Sequence, residues 1–411
     1  MSSEATMMIV GAGIAGSVAA ESLRAEGWRG RIVLIGRETR LPYERPPLSK
    51  AHLTEEVEPG PKTLVTSERL EELDIEYLQG REVVAIDRAA HTVKLADGAR
   101  LAYERLLLTT GARARPVSNL IGQGARIRTL RTYDDALFIR RAINPGAEVV
   151  VVGGGFIGLE VAASAVSRGA SVTVIEAGPR LLARAVPAPL AELIKAKHER
   201  SGVRLELGTT IERVDAIEGR SKVILTSGRA HLADLVIVGI GAVPNVELAR
   251  LAGLAIDNGI ALDELLATSD PDIFGAGDCC SFPHRLYNER IRLEAWRSAQ
   301  QQGAAAASNM LGAHSPYEKI PWFWSDQYDQ TLQVVGLHRE QDDPVIRDLG
   351  PNGLLIFYLA KDGRIVAACG FGSLPAIARE IRFAEMMIGR GLSPNVEALS
   401  NPAVNIKSLL S

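Results

Sequence analysis

The sequence predicts an α/β fold with two dinucleotide-binding domains of the doubly wound kind and a smaller α+β domain at the C-terminal end. Three observations carry that prediction: a strand, glycine turn, helix and strand near the N-terminus; a second copy of the same unit after residue 148; and a final stretch where strand-like runs precede a late helix.

The first copy opens with Met7-Met8-Ile9-Val10 as a strand and turns through Gly11-Ala12-Gly13-Ile14-Ala15-Gly16. A helix follows with apolar Ile14, Val18 and Leu23, and then a strand Ile32-Val33-Leu34-Ile35. In the second copy the strand is Val149 to Val152, the turn Gly153-Gly154-Gly155-Phe156-Ile157-Gly158, and the next strand Val172-Thr173-Val174-Ile175, closed by Glu176. The likeness extends further, because each copy continues into a β-rich stretch that ends in a buried strand and a glycine. The first reads Val83 to Asp87, Thr92 to Leu95, an Asp97-Gly98 hairpin turn and Leu106 to Gly111; the second reads Ile211 to Ile217, Lys222 to Leu225, Ser227-Gly228 and Leu235 to Gly241. Two homologous Rossmann-like modules are the simplest reading.

Beyond them lie a short strand from Ile273 into Gly275-Ala276-Gly277-Asp278, an Ala/Gln-rich helix from Glu294 to Leu311 and a linker at Pro316 to Pro321. The remainder, Trp322 to Ser411, mixes strand runs (Leu332 to Val335, Leu354 to Leu359, Ile365 to Ala368) with a helix Ile377 to Ile388.

Composition narrows the function. At 411 residues, a length of about 150 residues per domain gives two to three domains. A chain 46% hydrophobic and 23% charged with net charge -3 has no basic footprint for nucleic acid. No apolar run reaches the roughly 18 to 20 residues of a membrane helix, and Met1 to Val10 lacks the features of a signal peptide, so a cytoplasmic protein without membrane association is expected. Three cysteines, two of them adjacent at Cys279 and Cys280, offer no disulfide framework, no CxxC and no zinc spacing; no metal site is expected.

The glycine turns direct the functional reading. Between strand and helix they let backbone N–H groups approach a pyrophosphate while the helix N-terminus faces it with positive charge. Gly11, Gly13 and Gly16 take this role in the first copy, and Gly153, Gly155, Phe156, Ile157 and Gly158, with Gly241 at the end of the module, take it in the second. An acid closing the second strand accepts from ribose hydroxyls. Glu176 therefore favours NADH, while Arg180 and Arg184 close behind leave NADPH open. Glu38 is the corresponding acid in the first copy, beside Arg37. Asp278 stands where a carboxylate binds the polyol of a flavin; its alternative is a turn aspartate capping a helix.

These motifs in this order, with Thr109-Thr110-Gly111, Thr268-Ser269-Asp270-Pro271 leading to Gly277-Asp278, and the C-terminal domain, resemble the two-dinucleotide flavoproteins that include glutathione reductase. Pro42-Tyr43-Glu44-Arg45-Pro46-Pro47-Leu48-Ser49-Lys50 and Trp322-Phe323-Trp324-Ser325-Asp326-Gln327 look like signatures of one branch, the ferredoxin reductases that serve Rieske aromatic-ring dioxygenases and bacterial haem-thiolate monooxygenases. The resemblance covers nearly the whole chain. It implies a glutathione-reductase-like architecture: a discontinuous FAD-binding domain over 1–112 and 245–318, an NAD(H)-binding domain over 113–244 and an α+β interface domain over 319–411. It also implies FAD contacts at Ala15, Lys50, Val83, Arg131, Asp278 and Trp296, with Thr110 and Gly111 in a matching segment. Arg37 departs from the pattern, since several relatives carry an acid there for the adenosine ribose, and Glu38 is the substitute.

The expected activity is hydride transfer from NADH to FAD, then single electrons to a [2Fe-2S] ferredoxin, Rieske-type or adrenodoxin-type, in an aromatic hydrocarbon-degrading oxygenase system. A monomer or weak homodimer is expected. Phe156 is placed to cover the flavin until nicotinamide displaces it, or simply packs the turn. Lys50 and Glu160 are expected as an ion pair beside the flavin, because two charges in a dry site are tolerable mainly as a pair; otherwise both are solvated surface. Trp296, Trp322 and Trp324 line the electron exit or fill a domain interface. Two rivals stand. A flavin NADH oxidase or peroxidase is disfavoured because Arg40 to Lys50 contains no cysteine, and a flavoprotein like apoptosis-inducing factor, acting through association, because the net charge does not favour a basic nucleic-acid-binding surface.

Overall fold

The computed structural model describes residues 5–116 and 124–410. Met1 to Glu4, which open the N-terminal reading, lie outside them. The described chain forms two compact units: 5–44 with 60–113 and 242–319, and 45–59 with 114–116, 124–241 and 320–410.

In the first unit the glycine module builds a parallel sheet. Strand β1 (Thr6–Val10) lies between β2 (Arg31–Gly36) and the strand Arg105–Leu108, with Ile75–Gln79 and Ile273–Gly275 at the edges. Such strands are buried on both faces, which is why they read as unbroken aliphatic runs. All of β1 is buried, and each large aliphatic side chain there contributes about 1.5–3 kcal/mol. Helix α1 (Ile14–Ala25) leaves the end of β1 and packs against the helix Trp296–Met310. The approach is close, since a Cβ on Gly303 would sit 2.2 Å from the Ala15 carbonyl oxygen. A three-stranded antiparallel sheet, Val83–Asp87, Thr92–Leu95 and Arg100–Ala102, completes the repeat unit.

The second unit repeats the plan. Strand β3 (Glu148–Val152) is flanked by β4 (Ser171–Glu176) and Leu235–Val238, with Arg204–Leu207 and Ile127–Thr129 at the edges, all parallel. Helix α2 (Phe156–Ser167) follows β3, and α3 (Ala188–Arg200) follows β4. The antiparallel appendage is Ile211–Ile217, Arg220–Leu225 and Ala230–Ala233.

The same unit holds the C-terminal five-stranded antiparallel sheet. Its edge strand β5 (Trp322–Gln327) pairs with β6 (Gln330–Gly336), and the helix Leu374–Gly389 covers one face of the sheet. The strand Asp343–Asp348 lies outside the expected runs, because only three apolar residues, Pro344 to Ile346, stand between its charged ends at the sheet edge. Under the helix, Arg347 and Glu380 form a fully buried ion pair, 3.0 Å apart, and Arg347 also donates to the carbonyls of Leu399, Asn401 and Val404. That fixes the C-terminal turns to the sheet.

Residues 45–59 join the second unit for a visible reason. Arg140 donates to the carbonyls of His52, Glu55 and Glu56, Arg168 to that of Leu53, and Tyr133 to that of Pro59. Among the described residues no helix is long and apolar enough to cross a membrane.

Candidate functional site

The glycine turns show which glycines the chain itself requires and which it leaves for a ligand. Gly11 has φ +115°, and a Cβ there would fall 2.2 Å from the Thr109 carbonyl oxygen; a Cβ on Gly16 would fall 2.0 Å from the Gly11 oxygen. Gly153, at φ +108°, and Gly158 repeat both conflicts, at 2.4 Å from the Gly239 oxygen and 2.1 Å from the Gly153 oxygen. These four are demanded by the tight turn and by helix-to-strand packing.

The middle glycines differ. Around Gly13 a Cβ would meet nothing within 4 Å, and around Gly155 only the Gly239 oxygen at 4.0 Å. Each is the N-cap of its helix, and neither helix has a side-chain cap. Uncapped first-turn N–H groups beside an open glycine form an anion cradle. Both turns thus fit a dinucleotide pyrophosphate, on geometry alone.

The two acids expected to meet ribose, Glu38 and Glu176, stand at the ends of β2 and β4. Glu176 accepts from the backbone N–H of Gly154 and of Gly178, both at 2.7 Å, one on each carboxylate oxygen. Each oxygen retains a lone pair for an incoming hydroxyl. Glu38 accepts from the Tyr43 hydroxyl, while Arg37 is exposed and reaches Glu82 at 3.5 Å. Of the two arginines near Glu176, Arg180 donates to the carbonyls of Val186 and Ala183, whereas Arg184 is exposed with its Nη2 beside Gly241.

The remaining residues assigned to FAD divide between the units. In the first unit Thr110 and Asn245 exchange side-chain-to-backbone hydrogen bonds, and Gly111 adopts φ +64°. Asp278 follows Gly277, which has φ +85° and whose N–H donates to Gln302. Trp296 begins the next helix, and the hairpin Cys280–His284 and Glu289–Ile291 lies between it and Asp278 in sequence. Ala15 is buried and Val83 half-buried on its edge strand. Cys279 and Cys280 are fully buried with sulfurs 3.5 Å apart; burial pushes the Cys280 thiol well up. Lys50 and Arg131 lie in the second unit, where the Arg131 carbonyl accepts from Arg45.

Within that unit α2 and β5 assemble a charged centre. Phe156 is the first residue of α2 rather than part of the turn, because the helix begins directly after Gly155. Positions four apart share a helix face, so Phe156, Glu160 and Ser164 form one stripe. Strand residues two apart share a sheet face, so Phe323, Ser325 and Gln327 form another. The stripes meet: the Phe156 and Phe323 rings touch edge to face at 5.0 Å, and Ser325 donates to Glu160 at 2.6 Å. Lys50 Nζ stands 2.7 Å from Glu160 Oε2 and Ser49 donates to the same oxygen at 2.5 Å; Ser164 in turn holds the Ser49 carbonyl at 2.7 Å. Glu160 is 4% exposed and Lys50 24%, so the carboxylate is buried and the lysine side chain partly exposed.

Lys50 and Glu160 are paired, as their residue types suggested. Ser49, Ser325 and Gln327 stand in the motifs already noted, but their roles were not read there; polar residues alternating on the inward face of β5 were the available signal. Trp322 and Trp324 occupy its other face, stacked at 5.3 Å, with Trp324 Nε1 donating to Asp326. Among the described residues no cluster of histidine, cysteine and carboxylate side chains is arranged to hold a metal.

Known proteins match this chain over its length. Residues 5–303 match the pyridine nucleotide-disulphide oxidoreductase family and 322–410 the reductase C-terminal family. The ferredoxin–NAD(+) reductase component of the anthranilate 1,2-dioxygenase system of Burkholderia cepacia is 40% identical, with 98% of each chain covered. Putidaredoxin reductase of Pseudomonas putida is 37% identical over 100% of this chain and 98% of its own. In the crystal structure of the covalent putidaredoxin reductase–putidaredoxin complex, a chain superposes with a TM-score of 0.93 at 36% identity, covering 99% of this chain and 98% of that one.

Proposed function

The chain belongs to the pyridine nucleotide-disulphide oxidoreductase family, and we propose that it is an FAD-dependent NADH:ferredoxin reductase supplying electrons to an aromatic-ring dioxygenase or monooxygenase. Family membership makes it an oxidoreductase that uses a flavin and a nicotinamide nucleotide; FAD, NADH and the ferredoxin acceptor are the finer reading. We assign FAD to 1–112 with 245–318, NADH to 113–244, and acceptor docking to 319–411.

Bound flavin would supply the conversion of a two-electron hydride donor into single-electron deliveries. The protein's own contribution is placement. Gly11, Gly13 and Gly16 cradle one pyrophosphate, with Ala15, Glu38, Val83, Thr110, Gly111, Arg131, Asp278 and Trp296 completing the FAD set. Gly153, Gly155, Ile157 and Gly158 cradle the other, with Glu176, Arg184 and Gly241 around the nicotinamide nucleotide. Phe156 shields the reacting face until nicotinamide arrives, Lys50 presents a cation to it, and Glu160 holds that cation in place.

The observation that carries the reading is the Lys50–Glu160 pair, 2.7 Å apart and set one helical turn behind Phe156 on the helix that the second glycine turn starts. A buried carboxylate is costly to keep ionised without a cation beside it, and the pair's place at the head of the nicotinamide module gives it a reaction to serve. The chain's cysteines stand at 279, 280 and 369, so the 40–50 segment has no thiol to take electrons, which favours a direct protein acceptor over a disulfide or peroxide.

The test is steady-state turnover under argon, with NADH and a [2Fe-2S] ferredoxin, against parallel runs with oxygen or peroxide as the acceptor. Fast ferredoxin reduction with slow use of oxygen and peroxide is expected. Turnover with oxygen or peroxide alone would replace the reading with the oxidase alternative.

A further inference from the structure

The Glu160 carboxylate is the end of a longer hydrogen-bonded series. Glu160 Oε1 receives Ser325 Oγ at 2.6 Å; Gln327 Nε2 donates to Ser325 Oγ at 3.2 Å; Gln327 Oε1 lies 2.8 Å from His198 Nε2; and His198 Nδ1 lies 3.0 Å from the Tyr328 hydroxyl. We infer that Tyr328, His198, Gln327 and Ser325 are positioning residues, a one-directional hydrogen-bond chain that fixes the Glu160 carboxylate for its pairing with Lys50. The inference rests on the proposed role of that pair in the reaction with NADH.

The direction follows from donor and acceptor inventories. A carboxylate only accepts, so the single Ser325 proton points to Glu160. Ser325 must then accept from Gln327, which turns the amide NH2 toward the serine and its oxygen toward His198. An amide oxygen cannot donate, so His198 carries its proton on Nε2. Flipping the amide would ask one serine proton to serve two acceptors and leave a buried contact unmade. His198 is fully buried, and burial holds it below the ordinary histidine range, so it is neutral with a bare Nδ1. Tyr328 donates into that nitrogen, its hydroxyl kept protonated by burial that pushes it up to about 12.

The far end of the chain is anchored. Tyr328 sits in the two-residue turn between β5 and β6 at φ +57°, a conformation a bulky side chain rarely adopts. Its ring packs edge-on against His198 at 5.1 Å, and Lys197, the preceding residue on α3, pairs with Asp329 at 2.5 Å. The chain thus runs from α3 through β5 to α2, and ties Glu160 to two further elements.

Isosteric changes test direction rather than bulk. Gln327→Glu keeps the shape and still accepts from His198, yet cannot donate to Ser325. Its limiting rate of flavin reduction by NADH should fall about five- to ten-fold, the loss of one charge-coupled hydrogen bond, with NADH affinity and flavin content close to wild type. His198→Gln, which retains a donor near the Nε2 position, should recover most of the rate that His198→Phe loses. On the wild-type protein, 15N-histidine NMR assigned by the His198→Gln spectrum should show the Nε2–H tautomer from pH 6 to 8, roughly the span in which an unperturbed histidine gains or loses its proton. An Nδ1–H tautomer or an imidazolium there would overturn the chain, as would an unchanged rate in Gln327→Glu. If NADH failed to reduce wild-type protein, the functional reading would fall together with the inference; normal wild-type reduction matched by Gln327→Glu would remove the inference alone.

Discussion

Where the first glycine module carries Val18 on its helix, the second carries Glu160, in both cases five residues past the middle glycine of the turn. Up to that point the modules agree closely. Gly11 N–H bonds the Ile35 carbonyl at 2.9 Å and Gly153 N–H that of Ile175 at 2.8 Å, and the central strands run in the same order. Then the helix faces part. Helix α1 offers Ala15 to a close-packed Gly303, whereas α2 offers Phe156, Glu160 and Ser164 to β5 and the 46–54 segment. On the proposed reading, one scaffold serves as a holder in one copy and as a chemical surface in the other. The difference teaches that the turns are alike in backbone and differ one helical turn later in side chains, which is where the proposed reactivity is placed.

The comparison can be broken at the turns first. Gly11→Ala and Gly153→Ala each drive a Cβ into a backbone carbonyl at positive φ, strain of about 1–3 kcal/mol or more, and melting temperatures should fall by roughly 5 °C or more in both. Equal tolerance of alanine would show that the turns are not the rigid elements described. Next comes the helix face. Glu160→Ala should lower the NADH-driven flavin reduction rate about ten- to a hundred-fold, the scale of a lost charged hydrogen bond, while flavin stays bound; Val18→Ala should change that rate little. Stopped-flow absorbance separates these outcomes, and equal effects would erase the distinction between holder and chemical surface.

The middle glycines sharpen the division of ligands. Gly13→Ala should weaken FAD retention and Gly155→Ala should weaken NADH binding with FAD kept, each about ten-fold for loss of close backbone approach. Flavin content after gel filtration and an NADH titration would read these, and reversed effects would reassign the modules. The smallest effect is expected from Glu176→Gln, a loss of NADH affinity of roughly five-fold, near 1 kcal/mol, with a narrower NADH to NADPH ratio.

Much of this was legible in the chain because backbone-dependent features leave composition marks. Gly11 and Gly153 must be glycine, and strands buried on both faces must be aliphatic, so the repeated module could be read directly. Lys50 and Glu160 were readable as a pair from the cost of isolated charge. The partners Ser49, Ser325, Gln327 and His198 were not, since they come from three chain segments and nothing local to any of them states a distance. Segment 45–59 was equally hidden, for its place depends on Arg140 and Arg168 reaching back across more than eighty residues of sequence. Asp343–Asp348 escaped notice because only Val345 and Arg347 of this edge strand are buried, and one of those two is charged.

The central claim, that one module holds the flavin and the other delivers hydride to it for a ferredoxin, is tested most directly by a single anaerobic turnover. The purified holoprotein would be mixed with one equivalent of NADH, or of NADPH, and then with oxidised [2Fe-2S] ferredoxin while flavin and cluster absorbance are followed. Fast bleaching by NADH, slower bleaching by NADPH, and recovery of the oxidised flavin as the cluster is reduced are expected. Flavin that bleaches yet does not pass its electrons to the cluster, or that NADH leaves oxidised, would contradict the account.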